Sequence, residues 1–279
     1  MNLRFAGTNN CHYRRRANGT NFANGILRRS FVALLFLLLA IVFGACVGHN
    51  YKSSMPAGCT AQVLLFNGDG VSANDVVALE TVLDNNHLCY STVSSSELNG
   101  MSELEMRKYS LLIVPGGNFI DMGNSLSRTT TANARNAVKN GLNYLGICAG
   151  GFLAGSSSYY NGFELAAGIS FDFYAAEAKG IRKAAVAVTT PGGPTLDQYW
   201  EDGPQFTGWG AVAARYPDGT PAVVQGAYGK GSVTLVGIHP EAPENWRGTM
   251  RFNTPASTDN AYAGQLIRAA LGRQPLPHY

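Results

Sequence analysis

Between residues 61 and 147 short apolar runs alternate with stretches of helical spacing, and this alternation constrains the fold more than any other feature. The apolar runs are "AQVLLF" (61–66), "HLCYSTV" (87–93), "YSLLIVP" (109–115) and "NYLGI" (143–147), and helical spacing runs from Val76 to Leu83 and through "TANARNAVKNG" (131–141). A short run with no polar face has nothing to give to water, so it reads as a strand buried on both sides. Strands of that kind joined by helices of about a dozen residues run parallel, because each helix carries the chain back to the starting edge. The expectation is an α/β fold of three layers, a mainly parallel sheet with helices on both faces.

The later half is richer in strand. "KAAVAVTT" (183–190), "GAVAARY" (210–216) and "PAVVQGAYGKGSVTLVGIHPE" (221–241) follow, with "YGKG" as a hairpin turn and "AYAGQLIRAAL" (261–271) as a last helix. The turn "NGDGVS" (67–72) offers Ser72, or Asn74 just beyond it, as the cap of the first helix. "NWRGTMRFNTPASTDN" (245–260) has no period and reads as a surface loop. Hydrophobic residues make up 46% of the chain and charged ones 14%, enough for one core, and a single domain over 61–275 is expected.

The formal charge of +3 comes from the N-terminus, where six arginines and no acidic residue precede Cys46. Without them the remaining chain is net acidic, so no nucleic-acid partner is expected. Arg28 and Arg29 lead into thirteen strongly apolar residues, Phe31 to Phe43, then Gly44, Ala45 and Cys46. A charged region, an apolar region and small residues in that order make 1–45 a signal peptide or lipoprotein signal, since a membrane span needs roughly 20 apolar residues. An uncleaved N-terminal membrane helix is the alternative. "FGAC" resembles a bacterial lipobox with Cys46 as the lipidated residue, and "RRSFV" resembles the core of a twin-arginine export signal. Residues 46–60 read as a tether, and the body is expected outside the cytoplasm, membrane-tethered at the bacterial periplasm or cell surface.

An oxidising compartment permits disulfides. Cys59 precedes the first strand and Cys89 lies in the second; if those strands are parallel neighbours, the thiols share one sheet edge and form either a bridge or two buried thiols. Cys148 is different. It stands in "LGICAGG", where a buried strand runs into Gly-x-Cys-x-Gly and a helix begins, a geometry that holds the middle residue up at the carboxyl end of the sheet. A helix N-terminus at that point favours a thiolate, whereas the plain alternative is a small buried thiol among packing glycines.

Thiol acyl chemistry needs a base and oxyanion donors. Of the histidines beyond the signal, His49 lies in the tether, His278 in the tail and His87 at the wrong end of a strand. His239 alone follows a strand, "SVTLVGI", at its carboxyl side, and Glu241 two residues on can orient its imidazole. "LLIVPGGN" (111–118) ends a buried strand in glycines, so that the Gly117 N–H can act with that of Ala149. No cluster of His, Cys and carboxylates has ligand spacing, so neither metal nor other cofactor is expected.

Strand-PGG, Gly-x-Cys-x-Gly and His-Pro-Glu in this order resemble the class I glutamine amidotransferase fold, a flavodoxin-like arrangement. The longer "LLIVPGGN…YLGICAGGFLAGSS" and "QYWEDGPQF" (198–206) resemble the N-terminal domain of biotin-protein ligases and its free-standing relatives. The resemblance implies Cys148 as nucleophile, His239 as base, Glu241 as its acid, Gly117 and Ala149 as oxyanion donors, and Asn118, Tyr199, Glu201 and Asp202 as pocket residues. Phe152 departs from it, standing where glutamine amidotransferases usually carry Gln, and neither a synthetase nor a ligase domain is seen to follow. The expected function is an exported amidase-like or acyl-transfer hydrolase acting on a small-molecule or peptide amide through a thioester. A non-catalytic binding module of the same fold and a redox sensor at Cys148 are the alternatives.

Overall fold

A computed structural model describes residues 58–248 and 250–279. The signal segment, Cys46 and the tether up to residue 57 lie outside the described residues. The first half comprises β1 (Val63–Phe66), α1 (Ala73–Asn85), β2 (Tyr90–Val93), α2 (Ser95–Gly100), α3 (Glu103–Met106), β3 (Leu111–Val114), α4 (Phe119–Ser125), α5 (Arg128–Lys139), β4 (Asn143–Ile147) and α6 (Ala149–Leu153). The second half comprises β5 (Ser170–Phe173), α7 (Ala175–Ala178), β6 (Lys183–Val188), β7 (Leu196–Glu201), β8 (Pro204–Thr207), β9 (Ala211–Arg215), β10 (Pro221–Tyr228), β11 (Gly231–Val236), α8 (Glu244–Arg247) and α9 (Ala256–Gly272).

The central sheet has the order β2-β1-β3-β4-β11-β10-β9. Neighbours from β2 to β11 pair in parallel, and β10 and β9 add an antiparallel edge. Period two in the strands divides the core. Val63, Leu65, Ile113 and Leu145 face α1 and α9, while Leu64, Phe66, Leu112 and Tyr144 face the layer containing α5 and α6. The three-layer α/β expectation therefore holds. Each of these side chains is fully buried, worth roughly 1.5–3 kcal/mol apiece before chain entropy is counted.

The chain leaves β1 toward β2 on one side and returns to β3 on the other. That reversal opens a crevice at the carboxyl ends of β1 and β3, the place where ligands bind in open α/β sheets. Ser72, not Asn74, caps α1, its hydroxyl accepting from the Asp75 N–H at 3.4 Å. Two antiparallel two-stranded sheets, the hairpin β6 with β7 and the pair β5 with β8, are separate from the main sheet. The first of these meets the crevice through a bridge between Tyr199 and His239.

Residues 245–260 differ from the surface loop expected of them. They hold α8 and the start of α9, and the Arg247 guanidinium forms a buried ion pair with Asp259 while donating to the Thr254 carbonyl at 2.6 Å. Contacts such as that of Arg247 with Asp259 follow no period that the sequence would show. Cys59 and Cys89 are joined by a disulfide with Cα atoms 6.2 Å apart, beside the paired starts of β1 and β2. Among the described residues no helix is long and apolar enough to cross a membrane.

Candidate active site

Cys148 sits between β4 and α6 with φ 49° and ψ −107°, a backbone conformation that L-residues rarely adopt and that costs about 1–3 kcal/mol. The surrounding glycines make it attainable. A Cβ on Gly146 would lie 2.3 Å from the Gly150 carbonyl oxygen, and one on Gly150 would lie 2.0 Å from that of Val114. The Cys148 N–H donates to the Val236 carbonyl at 2.7 Å, which ties the elbow to the end of β11, three residues before His239. The thiol is buried, with Sγ 3.5 Å from the Glu201 carbonyl oxygen.

His239 is buried, and its Nδ1 donates to Glu241 Oε1 at 2.9 Å. A second carboxylate shares that nitrogen: Asp75 Oδ1, from the first turn of α1, lies 3.1 Å away but out of line for a hydrogen bond. Sequence reasoning missed Asp75. Locally it looks like an acidic residue at a helix start, and only the fold brings it to the imidazole. Gly116 makes the approach possible, since a Cβ there would meet Asp75 Oδ1 at 2.2 Å and His239 Cε1 at 2.7 Å. Of the two PGG glycines, Gly116 thus leaves room for the imidazole and its carboxylate. Gly117 supplies the turn, with φ 146°.

Burial alone would push His239 down, but the charges of Cys148, Glu241 and Asp75 outweigh it and hold the imidazole well above its ordinary value. Burial likewise acts to raise Asp75, yet its contacts with His239 prevail and hold it below the usual carboxylate range. Burial raises Glu241, and the neighbouring Asp75 adds to the effect. The site therefore favours an imidazolium with Asp75 ionised beside it.

Asp75, His239 and Glu241 place one donor atom each within 4.8 Å of one another, a compactness suited to a metal ion that the sequence reading did not anticipate. The 2.9 Å separation from Glu241 is nevertheless a hydrogen bond, and Asp75 Oδ1 lies only 3.1 Å from the same nitrogen. Two ligands on a tetrahedral zinc at its usual bond lengths stand about 3.3 Å apart, so the geometry fits a shared Nδ1 proton better.

A cavity of about 410 Å³ opens over this group, bordered by Cys148, Ala149, Gly117, Asn118, Glu201, Asp202 and His239, with Phe119, Phe152 and Phe173 on one side. Among the described residues the N–H groups of Gly117, in the turn before α4, and of Ala149, the first residue of α6, have no hydrogen-bond acceptor. Asn118 borders the cavity, but its side chain is committed to capping α4 and to Asp121. Tyr199 stands behind the imidazole instead of in the cavity wall: its ring edge faces His239, and its hydroxyl donates to Glu201 Oε2 at 2.6 Å. Trp246 packs against both rings, a contact that no local feature of the sequence announces.

Fold and site together define a three-layer α/β domain with a cysteine elbow at the carboxyl end of its parallel strands. Residues 61–185 match the family described as "Biotin-protein ligase, N terminal", so the resemblance of the motifs holds over that stretch. The match includes Asp75 and Cys148 and stops before His239 and Glu241. Similar solved structures include one described as a candidate GMP synthase component from Thermoplasma acidophilum (11% identity, 77% of this chain and 94% of that one, TM-score 0.48). PurLQS from Thermotoga maritima is another (16% identity, 75% of this chain and 99% of that one, TM-score 0.44). A GH42 β-galactosidase from G. stearothermophilus matches at 16% identity over 75% of this chain with a TM-score of 0.47, and the chain spans only 30% of its length. No protein of curated function is similar enough to register as a match.

Proposed function

We propose that the domain is a cysteine-dependent amidase-like or acyl-transfer hydrolase, with Cys148 as nucleophile, His239 as base and Glu241 orienting the imidazole. The observation that carries this reading is that a strained, glycine-supported cysteine and a carboxylate-held histidine border one cavity. In the reaction the Cys148 sulfur attacks the amide carbonyl, and the oxyanion forms within reach of the Gly117 and Ala149 N–H groups. The imidazolium gives a proton to the departing amine as the C–N bond breaks, leaving a thioester. Water, losing a proton to His239, then cleaves the thioester to a carboxylic acid and restores the thiol.

The same reading puts the domain outside the cytoplasm, exported and tethered through Cys46 or an N-terminal helix. The apolar run 31–43 and the Cys59–Cys89 disulfide support it, since disulfides persist in oxidising compartments. The test of the chemistry is the rate of Cys148 alkylation by iodoacetamide at neutral pH. Replacing His239→Ala should slow it about tenfold or more, because the base that generates the thiolate is gone. Equal rates in wild type and variant would remove His239 from the reaction.

A further inference from the structure

The walls of the cavity differ in what they leave unsatisfied. On the polar side the charged groups are paired with one another. Arg182 lies 3.2 Å from both Glu177 and Asp202, Lys183 lies 2.8 Å from Glu201, and the Tyr199 hydroxyl takes the other Glu201 oxygen. These pairs already meet part of the charge that a zwitterionic amino-acid head would seek. Two cavity-lining residues each keep a buried carboxylate oxygen without a hydrogen-bond partner, Asp75 Oδ1 and Asp202 Oδ1, the latter on a residue held at φ 44°.

The opposite wall is aromatic. Phe152 lies one helical turn beyond Cys148, and its ring stacks on Phe119 with centroids 4.5 Å apart, while Phe173 closes from the side at 5.1 Å. These rings come from three separate elements, α6, α4 and β5, and converge where the cavity borders the thiol. Residues one turn apart have Cβ atoms about 6 Å from each other, so a group two or three bonds from a carbonyl on Sγ would reach the Phe152 ring.

We infer that the site takes amides whose acyl part carries an aromatic ring or another flat apolar group close to the scissile carbonyl. The ring lies against Phe119, Phe152 and Phe173, and the carbonyl meets Cys148. Aromatic rings favour offset or edge contacts with other rings, so a flat group gains more in this corner than an aliphatic chain of equal length. The chemical step is that already written, with water as co-reactant and a carboxylic acid and an amine as products. The inference rests on the proposed chemistry for turnover but not for binding.

The two can be separated with Cys148→Ser protein, which binds without acylation. Calorimetric titration with phenylacetamide, acetamide and glutamine should show phenylacetamide bound about tenfold or more tightly than either of the others. In the same background Phe152→Gln should abolish most of that preference. Phe119→Ala, at a less buried position, should reduce it as well and guards against a Phe152 variant that fails to fold. Equal affinity for the three amides, or glutamine bound best, overturns the inference whether or not Cys148 proves reactive. If phenylacetamide binds as expected while wild-type Cys148 is never acylated, the substrate class stands and the hydrolase reading falls.

Discussion

The imidazole of His239 meets two carboxylates at one nitrogen, and this arrangement has a consequence for stability. Its affinity for protons is raised in the folded state, so the favourable contribution is complete below the ordinary histidine value near 6.5 and is lost as pH rises through the folded value. Cys148, Glu241 and Asp75 are the charged groups acting on it. Replacing Asp75→Asn removes one of them. The melting temperature of the variant should fall below that of wild type near pH 6, with the gap narrowing as pH rises through the folded value, where the imidazole loses its proton and two adjacent carboxylates begin to repel. A gap independent of pH would show that Asp75 does not act through His239. Cys148 and His239 are legible in the sequence because each carries a local signature, Gly-x-Cys-x-Gly in one case and a histidine just after a buried strand in the other. Asp75 has none, since the distance that gives it meaning crosses from α1 to the end of β11 over Gly116.

Among the elements, the buried strands are easily read because unbroken apolar runs bounded by turns leave few other states. β4 spans the residues expected of it, whereas β2 begins at Tyr90, three residues late, because His87 takes a left-handed φ of 55° in the turn after α1. The segment over 245–260 departs from its expected loop for a physical reason. Arg247 and Asp259 pair across twelve residues, and neither belongs to an apolar period that announces burial. Replacing Arg247→Met would leave the buried Asp259 carboxylate without its cation, and chemical denaturation should show a loss of about 3–5 kcal/mol. A loss below about 1 kcal/mol would mean that the pair is exposed to water in solution. The same segment supplies Trp246, so the variant should also loosen the packing around His239.

At the scale of the whole molecule, alternation of strand and helix predicts the parallel sheet, but the two added two-stranded sheets have no such signal. The partners of such strands are set by tertiary contacts, and nothing in "KAAVAV" or "LDQYWE" states that this hairpin meets the active-site crevice. The disulfide ties the N-terminal end of the body to the edge of the sheet across a separation of 30 residues. A loop of that length makes its removal by Cys59→Ser and Cys89→Ser cost about 3–4 kcal/mol in denaturant unfolding. An unchanged midpoint would show that the bond contributes nothing to the fold. The central claim remains the reactivity of Cys148 through His239, and intact-protein mass spectrometry after mixing with p-nitrophenyl acetate tests it most directly. The account predicts one acetyl group per protein, on Cys148, that forms and then decays, with both phases slowed in His239→Ala. No acetyl group on Cys148, or the same time course in the variant, would contradict it.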